Sequence, residues 1–401
     1  MRKTTAVSLG VLLLLSFLFF MSPVGQFVSG ILPLVRPTPP LPEEGEQLPF
    51  QLPDGFSAAI YAQGVPNARV LTHDPKGALL LSRTRDGSVV ALPDIDGDGR
   101  ADRTVSVLSG LNDPHGLLVL CSEESECILY VAESHRVIAY KYDADTYTAS
   151  SGETLLSLPD DGGHNTRTLL LHPDGTRLLV SVGSSCNVCE ENDPRRASIL
   201  AVDLTTKEVT TFAKGLRNTV FMTIHPVTGE TWGTDMGRDN LGDDIPPDEV
   251  NILRADGNYG WPTCYGKNIH DAEFDTKTYI RAPCSEPFET PSHIDIPAHS
   301  APLGLAFIPE EGWPEKYWYD LLIAYHGSWN RSVPTGYKII RIPLDAHGAP
   351  EGEPVDFMTG FMTGDGTVLG RPVDIQAEPG GILYITDDRA GVVYRITRTS
   401  L

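Results

Sequence analysis

The chain is patterned as short apolar runs broken by turns. One unit recurs: an apolar strand, a proline-containing turn, a second apolar strand, and often a third of alternating character. It can be read from Ala68, Gly116, Thr166, Asn218, Ala301 and Arg371. Taking Val70, Gly116, Thr168, Val220, Leu303 and Pro372 as the first core positions, the units are blade-sized apart. Small meander sheets repeated in this way cover one another's faces only if the ring closes, so the pattern predicts an all-β, six-bladed β-propeller over residues 52–401. A strand from Phe56 to Tyr61 is expected to join the last blade near Val392 to Ile396 and protect its open edge. The two widest spacings predict excursions, one from Asp235 to Cys284 and one around Ser328 to Tyr337, and long loops of this kind tend to carry function.

Composition supports strands over helices. The 401 residues include 38 Gly and 32 Pro, too dense a punctuation for a helical bundle. With 31 Lys and Arg against 53 Asp and Glu, the net charge of −22 repels a phosphate backbone, and nucleic acid is not an expected partner. Arg2 and Lys3 precede an apolar run from Ala6 to Met21, the order of a secretory segment. Residues 1–30 are therefore read as a signal peptide or a membrane anchor, with possible attachment through residues 6–21. The chain is expected to be exported, periplasmic or extracellular. Residues 31–51 read as a proline-rich linker. In such a compartment the six cysteines point to disulfides between sequence neighbours: Cys121 with Cys127, Cys186 with Cys189, and Cys264 with Cys284, a C-x-x-C redox pair at 186–189 being the competing reading.

Two constellations carry candidate chemistry. Asp94, Asp96, Asp98 and Asp102 occupy positions 1, 3, 5 and 9 of a loop with Gly99 at position 6, a spacing that wraps oxygens around Ca²⁺. Position 12 is Val105 rather than Glu, and an acidic solvated turn is the competing reading. The second constellation is scattered. Asn112 to His115, His164 to Arg167, Arg217 with Asn218, His299 to Pro302, and Arg371 all sit just before the inner strand of successive units. In a propeller those positions ring one mouth of the axial channel, so His115, His164, Arg217, Asn218, His299 and Arg371 should converge. Neutral imidazoles accept protons and guanidiniums clamp carboxylates, a set that suits a polycarboxylate cofactor. The acidic excursion, with Gly237, Arg238, Asp248 and Glu249, adds oxygens for a hard divalent cation.

These residues resemble the soluble quinoprotein glucose/sorbosone dehydrogenase family, six-bladed propellers that bind pyrroloquinoline quinone (PQQ). The resemblance rests on Gly257-Asn258-Tyr259-Gly260-Trp261-Pro262, Gly215-Leu216-Arg217-Asn218, Gly163-His164-Asn165-Thr166-Arg167, the stretch from Asp248 to Asn251, and His326-Gly327-Ser328-Trp329-Asn330-Arg331. It implies His164 as the base that removes a sugar hydroxyl proton while hydride passes to the quinone. It also implies Arg217 and Asn218 as PQQ contacts, and the carbonyls of Gly237 and Arg238 as ligands of a Ca²⁺ that holds the quinone. His299, Arg331 and Arg371 join the cofactor contacts, and His115 and Asp161 the substrate side. Departures from the family pattern are Gly163, where glucose-oxidising members carry an acid, Arg331 or Lys338 in place of a cofactor-facing Lys, and Val373 at the second of two arginine positions. The expected activity is oxidation of an aldose or related sugar, with electrons passed to a cytochrome or quinone acceptor. A calcium-dependent propeller lactonase or esterase, and a non-enzymatic propeller binding a glycan or protein, are the alternatives.

Overall fold

The computed structural model describes residues 48–122, 126–285 and 289–399. The export segment and all but the end of the proline-rich stretch lie outside the described residues. Six antiparallel sheets follow one another along the chain. The first runs through Ala68–His73, Leu79–Arg83, Ser88–Leu92 and Val105–Ser109, and the second through Leu117–Cys121, Cys127–Glu133, Arg136–Asp143 and Thr148–Ser157. The inner strands of the remaining four are Leu169–Leu171, Thr219–Ile224, Pro302–Phe307 and Pro372–Glu378. Each inner strand contacts the next, and the sixth returns to the first, so the ring is closed. The predicted six-bladed propeller is the observed architecture.

Burial explains why the pattern was readable. A central strand of a blade is sandwiched between two neighbouring blades, so both faces are covered; Leu79 to Ser82 and Leu321–Tyr325 are buried along their length. Such strands read as unbroken apolar runs. Outer strands are open to water over much of their length, as Thr148–Ser157 and Val209–Lys214 are. The interblade space is filled by side chains such as Trp232, fully buried against Phe307 and His293. Polar bonds cross the same seams: Gly116 N–H donates to the Arg167 carbonyl at 2.8 Å, Thr234 Oγ1 to Leu303 O at 2.7 Å, and Thr386 Oγ1 to Arg69 O at 2.7 Å.

The ring closes as expected. Phe56–Gln63 pairs with Val392–Arg398, from Phe56 opposite Arg398 to Gln63 opposite Val392. The packed domain also takes in the end of the stretch read as linker: Phe50 lies against the Phe361 and Tyr394 rings, and Gln51 bridges to Thr359. No helix among the described residues is long and apolar enough to cross a membrane.

One expectation is corrected. The excursion from Asp235 to Cys284 is not continuous, because Asp248–Leu253 forms the third strand of the fourth blade. It leaves a turn over 236–247 and a longer segment over 254–293. That segment runs parallel to the outer strand of the third blade at Gly257–Asn258 and is tied by the Cys264–Cys284 bridge. All three expected disulfides form.

Phe56 anchors the closing strand by resting on Trp313, Tyr317 and Phe357. Because Phe56 is half-buried, Phe56→Ala is expected to cost about 2 kcal/mol, somewhat less than a fully buried Phe; denaturant unfolding checks this.

Candidate functional site

In every blade the start of the inner strand and the turn between the second and third strands lie at one end, since neighbouring strands are antiparallel. That end gathers residues 112–116, 164–168, 215–218, 299–301 and 371 with the turns 183–197, 236–247, 326–337 and 388–391. The turn carrying Asp94 to Asp102 joins a third strand to a fourth and lies at the opposite end. There Asp94, Asp96 and Asp102 bring one oxygen each within 4.8 Å of one another. Asp98 stands outside this group and accepts from Arg100 N–H.

His164 and Arg217 are linked through Ser184, whose carbonyl accepts from His164 N–H and whose N–H donates to Arg217 O, and the guanidinium acts electrostatically on the imidazole. The imidazole Nδ1 faces both Ser184 O at 3.1 Å and Ser184 Oγ at 2.9 Å. The carbonyl can only accept, so Nδ1 carries the proton and Nε2 keeps its lone pair. Burial, followed by Arg217 and then by Arg196 and Arg167, lowers the imidazole to about 3. The segment under it is clamped: the His164 carbonyl accepts from Arg167 Nη1 at 2.8 Å and Arg196 Nη1 at 3.0 Å. Asn218 lies across Gly183 from His164. A Cβ on Gly183 would come 2.6 Å from His164 Cβ and 2.7 Å from Asn218 Oδ1, so only glycine fits between them. Gly215 is required for a similar reason, with φ +70° and Asn258 Oδ1 2.5 Å from where a Cβ would stand.

Arg217 is buried, 3% exposed, with Nε and Nη2 engaged and Nη1 left with a long 3.4 Å contact to Met236 O. Nε donates to Asn187 O at 2.9 Å, and Nη2 to Asn187 Oδ1 at 2.8 Å and Asp239 Oδ2 at 2.9 Å. Asp239 Oδ1 accepts from Asn330 Nδ2 at 2.9 Å, and Asn330 lies 3.3 Å from His299 Nδ1. His299 Nε2 faces Gly242 O at 2.7 Å. Arg217, Asp239, Asn330 and His299 thus form one chain of polar contacts across the fourth and fifth blades. Further round, Asp388 bridges Arg69 (3.0 Å) and His326 (3.0 Å), and Arg371 donates to the carbonyls of His326 and Gly327. Burial lowers His326 to about 4, and the His326 and Arg69 side chains hold the Asp388 carboxyl well below the usual range although burial opposes them.

Several expected residues play different parts. His115, expected beside substrate, is fully buried under the mouth, with Nδ1 toward Arg167 O and Thr168 Oγ1. Arg331 does not face the channel freely: it donates to Asp243 O and Asp244 Oδ1, both at 2.8 Å, binding the fifth-blade turn to the fourth-blade turn. Arg238 turns to Asp271 and Glu273. Asp248 offers no free oxygen, because Oδ1 accepts from Gly237 N–H at 2.9 Å and Oδ2 from Ala301 N–H at 3.1 Å. Burial raises it to about 7. It shapes the turn that carries the Gly237 and Arg238 carbonyls, and neither carbonyl accepts a hydrogen bond among the described residues. Asp161 stands at the lip with its side chain 91% exposed, beside Arg196. Sequence reading missed Ser184, Asn187, Arg69 and Asp388 as members of the mouth.

The donor set fits a polyanionic cofactor with a donor of its own. Three guanidiniums, Arg69, Arg217 and Arg371, surround the mouth, and Asn218 Oδ1 is buried with no partner among the described residues. Uncommitted carbonyls at 237 and 238 suit a hard cation.

A family model described as TrAA12-like matches residues 50–399. An uncharacterized protein of Borreliella burgdorferi is 38% identical over 234 residues, which cover 58% of this chain and 60% of that protein. The pyrroloquinoline quinone-dependent pyranose dehydrogenase of Coprinopsis cinerea is 24% identical over 86% of this chain and 54% of its own length. The chain therefore spans a little over half of the curated relatives it matches. Among solved structures, the calcium structure of the family AA12 enzyme of Trichoderma reesei superposes with a TM-score of 0.74 at 23% identity, covering 87% of this chain and 97% of that one. The holo PQQ domain of the Coprinopsis cinerea pyranose dehydrogenase gives 0.74 at 22% identity, covering 90% and 99%. These likenesses establish the fold.

Two outcomes follow for stability. Gly183→Ala is expected to destabilise the protein by about 1–3 kcal/mol through overpacking, read by thermal unfolding. Glu289 is buried with both carboxylate oxygens unpartnered among the described residues, and burial raises it to about 8 from 4.5. A raised acid binds its proton more tightly in the folded state, so its contribution is complete below pH 4.5 and lost as pH rises through about 8. Glu289→Gln should flatten the decline of Tm across that window.

Proposed function

We propose, from the premise that the chain belongs to the TrAA12-like family, that it is a PQQ- and Ca²⁺-dependent oxidoreductase of sugars. The observation that carries this reading is the meeting of an unprotonated imidazole with a free Nε2, His164, and the Arg217–Asn218 pair across Gly183. When bound, the quinone would supply a hydride acceptor and the cation a Lewis acid for oxidation of the sugar.

The chain's own residues supply the remainder. His164 Nε2 takes the hydroxyl proton, held in aim by the two Ser184 contacts on Nδ1. Arg217 and Arg371 face the carboxylates of the cofactor, and Asn218 Oδ1 meets a donor on it. The carbonyls of Gly237 and Arg238 hold the cation, with Asp248 fixing the Gly237 peptide. His299 and Arg331 brace the walls instead of touching the cofactor. Asp161 meets sugar hydroxyls at the lip, and Trp329, 73% exposed on the loop that carries Asn330, offers a flat apolar face to a pyranose ring. Asp94, Asp96 and Asp102 form a separate structural Ca²⁺ loop at the far end. Export directed by residues 1–30 and electron delivery to a cytochrome or quinone acceptor complete the reading.

Titrating the purified protein with PQQ and Ca²⁺ should give a saturable change in quinone absorbance, followed by sugar-dependent dye reduction. No saturable change would overturn the reading, and hydrolysis of lactones or esters by metal-loaded, PQQ-free protein would favour the hydrolase alternative. His164→Ala should lower sugar-dependent turnover by about 10²- to 10⁴-fold while PQQ still binds. In the cofactor-free protein the His164 ring resonances should stay flat from pH 8 to about 5, because the imidazole titrates near 3.

A further inference from the structure

The Cys186–Cys189 loop touches both halves of the mouth. Asn187, the first residue inside the bridge, is bonded through its carbonyl and through both polar atoms of its side chain. Its carbonyl accepts from Arg217 Nε at 2.9 Å, and its Oδ1 accepts from Arg217 Nη2 at 2.8 Å and from Asp239 N–H at 2.7 Å. Its Nδ2 donates to Asp239 O at 3.0 Å. One asparagine therefore fixes the plane of the Arg217 guanidinium and the backbone of the turn that supplies Asp239. The same loop reaches the imidazole by another route. Ser184 Oγ donates to Cys186 O at 2.7 Å, which turns its lone pairs toward the His164 Nδ1–H at 2.9 Å. Ser184 N–H in turn donates to Arg217 O at 2.8 Å.

A four-residue turn at a channel mouth would ordinarily fluctuate, and fixing its backbone is entropically unfavourable at about 1–2 kcal/mol per residue. Here the turn is closed covalently across Asn187 and Val188. A stapled loop can hold a guanidinium and an imidazole to a fixed separation, which a freely moving one cannot.

We propose that the Cys186–Cys189 loop is the positioning element of the mouth, with Asn187 setting the orientation of Arg217 and Ser184 that of His164. This rests on the reading of Arg217 as a cofactor contact and His164 as the base. Its two arms have separate consequences. Asn187 acts on cofactor binding, and Ser184 acts on turnover once the cofactor is bound.

The experiment compares the full chain with Asn187→Ala, Asn187→Asp, Ser184→Ala, the bridge-free Cys186→Ser/Cys189→Ser form, and a Cys121→Ser/Cys127→Ser control whose bridge lies at the opposite end. Asn187→Ala should weaken PQQ binding by about tenfold or more, as expected when a buried donor loses its acceptor, and Asn187→Asp, which keeps an acceptor at Oδ1, should recover part of it. Ser184→Ala should lower kcat by about tenfold to a hundredfold with PQQ affinity and KM nearly unchanged. The bridge-free form should show both losses and the control neither. Hydrogen exchange at Arg217 Nε–H, measured without cofactor, should accelerate in Asn187→Ala and in the bridge-free form. Variants that match the parent in PQQ affinity, kcat and Arg217 exchange overturn the inference. Should the parent itself bind no PQQ, the functional reading fails, and the exchange measurement still decides whether the loop positions Arg217. Where a variant unfolds, judged by circular dichroism, the Asn187→Asp rescue decides that arm, and absence of rescue in a folded protein counts against it.

Discussion

A guanidinium taken out of water is tolerated only when its donors find acceptors, and the mouth of this propeller is arranged around meeting that condition for Arg217. Nε and Nη2 are matched by Asn187 and Asp239. Matching them draws turns from the third and fourth blades together, and Asn330 from the fifth joins through Asp239. The buried cation also acts on its neighbours. Together with desolvation it keeps His164 unprotonated, so the group that holds negative charge at the site is also a reason the imidazole is available as an acceptor. Charge burial and the relative placement of three blades are consequences of one side chain, which also adds to the desolvation that lowers the imidazole.

Much of the fold was legible because a propeller imposes a simple rule on its strands. Those between two neighbours are covered on both faces and must be apolar throughout, as in Leu321–Tyr325; those outside are more exposed and more polar, as in Thr148–Ser157. The closing strand was legible because an unpaired edge at each end of the repeat calls for a partner. In the fourth blade the first two strands were legible from Asn218, and the third escaped this reading. That strand opens with Asp248 and Glu249, both buried, and carboxylates are poor markers of a buried strand. Their burial depends on backbone N–H groups of Gly237, Ala301 and Gly266, partners far apart in sequence or set by the fold of a loop.

The candidate site divides in the same way. His164, Arg217 and Asn218 were legible because they stand at equivalent points before inner strands, where the repeat itself gives a register. Ser184 and Asn187 sit in a turn between second and third strands, whose length varies from blade to blade, and no spacing singles them out. Arg331 and His299 were legible as mouth residues but not in their parts. Arg331 meets Asp243 and Asp244, which loop conformation alone brings near. His115 had the right register but points below the mouth, where Phe221 covers its ring.

The closing ladder begins with Phe56 opposite Arg398, so both strands run inward from a shared edge. A load applied through the two ends of this domain would peel that ladder one rung after another instead of shearing all of its rungs at once. The Gln51–Thr359 bridge, the Phe50 packing and the Phe56 cluster would meet such traction first. Any tether on the amino-terminal side would therefore pull directly on this ladder.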